Sequence, residues 1–175
     1  NLSGSSTNPD EIYTMGPSGV WKSTNFGSTW SLTAISEYWN ANNNNPDIKV
    51  SLADDQVIWA GFGMASNNRI HLSQDGGASF EPTSNFPQTM GRLTGLATHP
   101  ADPAVAFALF SFANSPKILK TTNYGQTWQD ISGFANSTIS TKGFPDVAVH
   151  SFLVLPHDPD ILWAGTEIGL VESTD

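Results

Sequence analysis

KTTNYGQTW, residues 120–128, repeats almost letter for letter the stretch KSTNFGSTW at residues 22–30. A weaker copy, SQDGGASF, occupies residues 73–80, and a fourth begins at Ser173-Thr174-Asp175. Asn25, Asp75, Asn123 and Asp175 fall in register, so the repeat is about fifty residues long, which suits one four-stranded propeller blade. Each position has work in a tight hairpin. Asp or Asn accepts bonds from nearby backbone N–H groups. Gly permits positive φ where the chain reverses. The Ser and Thr hydroxyls close the turn, and the terminal Trp or Phe enters an apolar layer. Asn replaces Asp in two of the three complete copies, a change that no general acid, base or nucleophile survives. Ser23, Asn25, Gly27, Thr29 and Trp30, then Ser73, Asp75, Gly77, Ser79 and Phe80, then Thr121, Asn123, Gly125, Thr127 and Trp128, are therefore read as structural joints.

The rest of the repeat agrees. Before each copy lies an apolar run: EIYTMG (11–16), QVIWAGFG (56–63), AVAFALF (104–110) and DILWAG (160–165). A Pro/Asp turn precedes each run, and a short apolar segment such as KVSLA (49–53) or HSFLVL (150–155) precedes several of the turns. Short runs rich in Val, Ile, Phe and Trp and bounded by Gly, Pro, Asn and Asp read as strands. The expectation is an all-β chain, a β-propeller of four-stranded blades with about three and a half present, in a single unit over residues 1–175. The blades divide at about 1–35, 36–84, 85–134 and 135–175. In blade 2, strands A to D are expected at 48–53, 56–63, 68–73 and 79–84.

Composition narrows the function. Acidic residues exceed basic ones, giving a net charge of −9. The basic residues Lys22, Lys49, Arg69, Arg92, Lys117, Lys120 and Lys142 form no run, which argues against nucleic acid and anionic membranes as partners. No apolar stretch is long enough to insert in a bilayer as a helix. Without cysteine there is no disulfide or thiolate site. His71, His99, His150 and His157 share no metal-ligand spacing, so neither metal nor cofactor is expected. Asn1-Leu2-Ser3 and Asn136-Ser137-Thr138 fit the glycosylation pattern.

The repeated motif resembles the Asp-box, or bacterial neuraminidase repeat, of sialidase-like, sortilin-like and xyloglucanase-like β-propellers. The resemblance covers essentially the whole chain, and FPDVAVHSFLVLPHDPDILWAGTEIGLVESTD is especially similar to secreted bacterial repeat proteins. It implies an exported protein, extracellular or at the cell surface. It also implies a ring of roughly six to eight blades. Part of that ring is then expected to come from the same polypeptide or from a second chain. In such propellers the A–B and C–D turns share one face, and the B–C and D–A connections share the other, where the resembling enzymes keep their active sites.

Candidate site residues follow from that face. SEYWNANNNNPD (36–47) leads into blade 2, with Glu37, Tyr38 and Trp39 beside an Asn run. Flat aromatic faces flanked by amides suit sugar rings. Arg69, at the end of one B–C hairpin, and Arg92 are candidates for an anionic group. Asp47 and Asp146 each follow Pro just before a strand A, and paired carboxylates are what glycoside hydrolysis needs. The Arg-Ile-Pro segment of sialidases is absent from these residues. Three readings stand: a binding or scaffold propeller for glycan or protein, a xyloglucanase-like glycoside hydrolase, and a sortilin-like peptide receptor with its ligand in a central tunnel.

Overall fold

The computed structural model describes residues 1–42, 45–88, 90–135 and 137–174. Asn43 and Asn44 of the Asn run, Asn136 of the second glycosylation pattern and Asp175 of the fourth motif lie outside them. Every regular element among the described residues is a strand, and the strands form four antiparallel sheets that are the blades of a partial propeller. Blade 1 contains β1 (Leu2–Gly4), β2 (Ile12–Gly16), β3 (Gly19–Ser23) and β4 (Ser31–Ala34). Blade 2 contains β5 (Asp47–Val50), β6 (Ile58–Gly61), β8 (His71–Ser73) and β9 (Glu81–Pro82). Blade 3 contains β10 (Met90–Thr98), β11 (Ala106–Phe110), β12 (Ile118–Thr121) and β13 (Gln129–Asp130). Blade 4 contains β14 (Val149–Val154), β15 (Leu162–Thr166) and β16 (Gly169–Ser173). One short strand departs from the expected plan. β7 (Gly63–Met64) leaves blade 2 and pairs with β10, adding a fifth strand to blade 3.

Three apolar layers alternate with the four blades. The first holds Tyr13, Met15, Ile48 and Ile58. The second holds Trp59, Leu72, Ala106, Phe110 and Trp128. The third holds Phe107, Leu109, Val149 and Ala164. The period-two geometry of a strand produces this division. On β11, Ala106, Ala108 and Phe110 face blade 2, whereas Phe107 and Leu109 face blade 4. A strand B is thus covered on both sides, which is why it reads as a continuous apolar run.

The repeated turns are the same joint three times. Ser23, Ser73 and Thr121 each accept the N–H of the turn glycine, at 2.8, 2.8 and 2.9 Å. The Oδ1 atoms of Asn25, Asp75 and Asn123 each accept the N–H four residues on, at 2.8, 2.9 and 3.0 Å. Asn and Asp are interchangeable because the last hydroxyl adjusts. Asn25 and Asn123 donate through Nδ2 to Thr29 and Thr127, whereas Ser79 donates to Asp75 Oδ2. Each turn has two consecutive left-handed residues: Phe26–Gly27, Gly76–Gly77 and Tyr124–Gly125. Phe26, Gly76 and Tyr124 also donate their N–H to the A–B turn of the same blade.

The motif aromatic packs back onto the preceding blade. Trp128 is 8% exposed and meets Trp59 of blade 2 edge to face at 6.0 Å. Phe80 packs on the layer shared with blade 1. Trp30 has no preceding blade beside it among the described residues and remains 38% exposed. A second tie joins blades 1 and 2. Asp55 accepts bonds from the hydroxyls of Ser5, Ser6 and Thr7 and from the N–H groups of Ser6 and Thr7.

Ser79 holds the Asp75 carboxyl down at a pKa of about 2, through its hydroxyl first and its N–H second. A depressed folded-state pKa contributes stability that is present above the ordinary carboxyl pKa and is lost as pH falls through the folded one. Asp75→Asn keeps the turn and removes the titration. Its stability relative to wild type should therefore improve between about pH 4 and pH 2, by about 1 kcal/mol or less at this exposed site. Urea midpoints of both proteins at pH 5 and pH 2 read this directly. An unchanged gap would remove Asp75 from the acid response.

Candidate functional site

The inner strands β1, β5, β10 and β14 line a central hollow of about 520 Å³. Side chain–backbone bonds link them in order. Val50 N–H donates to Ser3 Oγ at 3.0 Å, Leu52 N–H to Thr98 Oγ1 at 3.3 Å, and Thr94 Oγ1 to the Val149 carbonyl. Register shows which inner-strand residues correspond. Asp47 lies opposite Gly61, Gly95 opposite Leu109 and Ser151 opposite Gly165. The expected equivalence of Asp47 and Asp146 is therefore corrected. Asp47 is the first residue of β5 and its counterpart in blade 4 is Ser151, whereas Asp146 lies ahead of β14. The B–C connection is longer in blade 2, where Ala60 pairs with His71, than in blade 4, where Ala164 pairs with Val171, and counting back from the motif therefore misaligns the two A strands.

The two candidate carboxylates have separate duties. Asp47 is 5% exposed, and its Oδ1 accepts Asn1 Nδ2 at 2.8 Å and Ile48 N–H at 2.9 Å. Its Oδ2 accepts Leu96 N–H at 2.6 Å, which ties blade 2 to blade 3. Asp146 pairs with Lys117 Nζ at 2.5 Å, and each of its oxygens accepts Asn114 N–H at 3.0 Å. The Lys117 ammonium holds the Asp146 carboxyl below the ordinary range. Among the described residues the two acids share no hydrogen-bond partner.

The other candidates gather where the D–A connection into blade 2 meets its B–C connection. Arg69 N–H donates to the Tyr38 carbonyl at 3.0 Å. The Arg69 guanidinium lies over the Tyr38 ring, 3.9 Å from its centroid. Tyr38 is held at φ 52, a left-handed conformation that is costly for an aromatic residue and that Phe26 and Tyr124 share in the repeated turns. Trp39 is 8% exposed, donates Nε1 to the Gly16 carbonyl, and packs edge to face on Phe62 and His71. It belongs to the core, so of the expected aromatic pair only Tyr38 reaches the surface. The Glu37 side chain is exposed, and its carbonyl faces His71 Nε2 at 2.9 Å. Arg92 is exposed on β10, with its backbone opposite Gly63.

Sequence reasoning missed three members of this face. His71 Nδ1 faces the Arg69 carbonyl at 3.1 Å, so its ring pins both connections together. Burial pushes the imidazole pKa down, against the pull of the two carbonyls. The signal was present: His71 stands opposite Ala60 where Trp21 and Leu119 stand opposite Thr14 and Ala108. Asn68, also buried, donates Nδ2 to the Asn40 carbonyl, and Asn85 donates Nδ2 to the Ala65 carbonyl. The Oδ1 atoms of both amides and the Nε of Arg69 are buried without a hydrogen-bond partner. Among the described residues these two acceptors and one donor are thus unused by the fold.

Among solved structures the chain is similar to several propeller proteins. An ancestral GH74 enzyme matches 99% of this chain and 22% of its own, at 19% identity and a TM-score of 0.70. A GH74 xyloglucanase from Xanthomonas campestris matches 99% and 28%, at 16% identity and 0.69. YCF48 from Cyanidioschyzon merolae matches 98% and 54%, at 16% identity and 0.51. The chain thus spans about a quarter of the GH74 chains it resembles. At these identities the likeness defines the class of fold, a β-propeller, and nothing narrower. No protein-family model matches the sequence, and no curated protein matches it.

Proposed function

We propose that the chain is part of a non-catalytic binding propeller that recognises a neutral polysaccharide through the B–C and D–A face of blade 2. The observation that carries this reading is the Tyr38–Arg69 stack, an aromatic ring and a guanidinium brought together where the two connections meet. A sugar ring offers a C–H face to Tyr38 and hydroxyls to the guanidinium. The net charge of −9 disfavours an anionic ligand. Similarity to a xyloglucanase makes xyloglucan the first glycan to test. Export to the cell surface or medium, and completion of the ring by further blades of the same polypeptide or a second chain, belong to this proposal.

Hydrolysis is the competing reading, and the bonding of the acids weighs against it. Asp47 is committed to three donors and Asp146 to a lysine and a backbone N–H. Calorimetry with xyloglucan oligosaccharides, beside an assay for released reducing ends, separates the two. Wild type should bind without releasing reducing ends, and Tyr38→Ala should bind about tenfold more weakly. Release that Asp47→Asn abolishes would establish a hydrolase. Absence of binding would end the carbohydrate reading.

A further inference from the structure

The B–C connection of blade 3, residues 111–117, has a construction that the fold does not require. Its lysine, Lys117, is 0% exposed. Lys117 Nζ donates to the Phe112 carbonyl, pairs with Asp146 and lies 5.0 Å from the Phe134 ring centroid. Ser115 Oγ donates to the same Phe112 carbonyl at 2.9 Å. Asn114 is left-handed, at φ 54, and is fixed to both oxygens of Asp146. Burying an ammonium is costly unless it is well paired, and a left-handed non-glycine residue adds strain. Blade 1 makes the corresponding connection with the short turn Gly16–Gly19 and no ion pair. These bonds converge on the backbone carbonyl of Phe112, a residue that is 52% exposed, while Phe107, Phe110 and Phe134 are buried.

We infer that Phe112 is a second contact for the ligand, a preorganised platform for the C–H face of a sugar ring on blade 3. This rests on the carbohydrate reading of the Tyr38–Arg69 face. Phe112 and Tyr38 stand on the same face of adjacent blades, so one ligand touching both is an oligomer that crosses from blade to blade. Lys117 and Asp146 are positioning residues that fix the backbone carrying the ring without touching the sugar. An already exposed ring on a backbone fixed by these bonds needs no loop ordering on binding.

The test is calorimetry on the full chain with xyloglucan oligosaccharides of one and of several repeat units. Phe112→Ala should weaken binding of the long ligand about tenfold and leave the short one unchanged, whereas Phe112→Trp should preserve both. The melting temperature of Phe112→Ala should match wild type, because the ring covers no core. Unchanged affinity for the long ligand would overturn the inference and leave the Tyr38–Arg69 reading standing. An equal loss at both lengths would also overturn it, since Phe112 would then not be a separate contact. Failure of wild type to bind either ligand would overturn the carbohydrate reading, and the inference with it.

Discussion

Gly125→Ala should destabilise the chain by about 2–4 kcal/mol, while Gly27→Ala at the same place in the first turn should cost about 1 kcal/mol. Both glycines are left-handed, at φ 73 and 87, so both substitutions pay the conformational penalty. Their surroundings differ. A Cβ on Gly125 would stand 2.5 Å from Thr83 Cγ2 and 2.7 Å from Thr83 Cβ, with Trp59 at 3.3 Å. Thr83 cannot yield easily, because its N–H and hydroxyl both donate to the Ile70 carbonyl, at 2.9 and 2.8 Å. Ser84 N–H also donates to the Gly125 carbonyl at 2.8 Å, which draws the two segments together. On Gly27 the same Cβ would meet only Ile12 and Trp30, each at an ordinary 3.6 Å. Urea unfolding of both variants measures the difference. Equal losses would mean that backbone conformation alone sets the cost and that the seam between blades 2 and 3 is looser than its geometry.

That contrast shows what a repeat does and does not state. The motif spelled out the hydrogen bonds of each turn, because those bonds lie within the few residues of the motif itself. It did not state which atoms of an adjoining blade meet each turn, because those contacts come from packing between blades. The apolar runs marked the B strands because both faces of a central strand are buried. The short D strands β9 and β13 depended on their partners, and β7 became a strand of blade 3 because β10 lay beside it.

The site was less legible for the same reason. Tyr38 and Arg69 were each visible as residue types at connection ends, yet nothing local indicated that they stack. Trp39 looked like its neighbour Tyr38, and burial against Phe62 and His71 separates them. Pro-Asp opens β5 and also precedes β14, but the B–C connections of the two blades differ in length, so the motif does not set one common distance to strand A. Only the ladder shows that Ser151, and not Asp146, matches Asp47. Arg69 and Lys117 do match, two residues before His71 and Leu119, and their environments diverge completely. One guanidinium rests on an aromatic face at the surface, and one ammonium is sealed beneath a loop.

The sealed ammonium gives the other large effect. Asp146→Ala should cost about 2–3 kcal/mol, because it leaves the Lys117 charge buried with the Phe112 carbonyl as its remaining polar contact. The exposure of Asp146, whose side chain is 34% accessible, keeps the loss below that of a fully buried pair. Lys117→Met should cost less, about 1 kcal/mol, because the aliphatic stem still packs on Phe134 and the freed carboxylate turns to water. The double variant should resemble Lys117→Met, since removing the acid is harmless once the buried charge is gone. This non-additivity is the signature of coupling between the two groups. Lys117 holds the Asp146 carboxyl below its ordinary range, so the stability it supplies is complete above about pH 4 and fades as pH falls through the folded-state value. Wild type should therefore lose more stability than Lys117→Met on acidification from pH 5 to pH 2. Urea midpoints of the four proteins at both pH values provide the cycle. Additive losses with parallel acid responses would mean that the pair is incidental to the loop. A coupled cycle would mean that blade 3 keeps a buried charge to hold Phe112 where it stands.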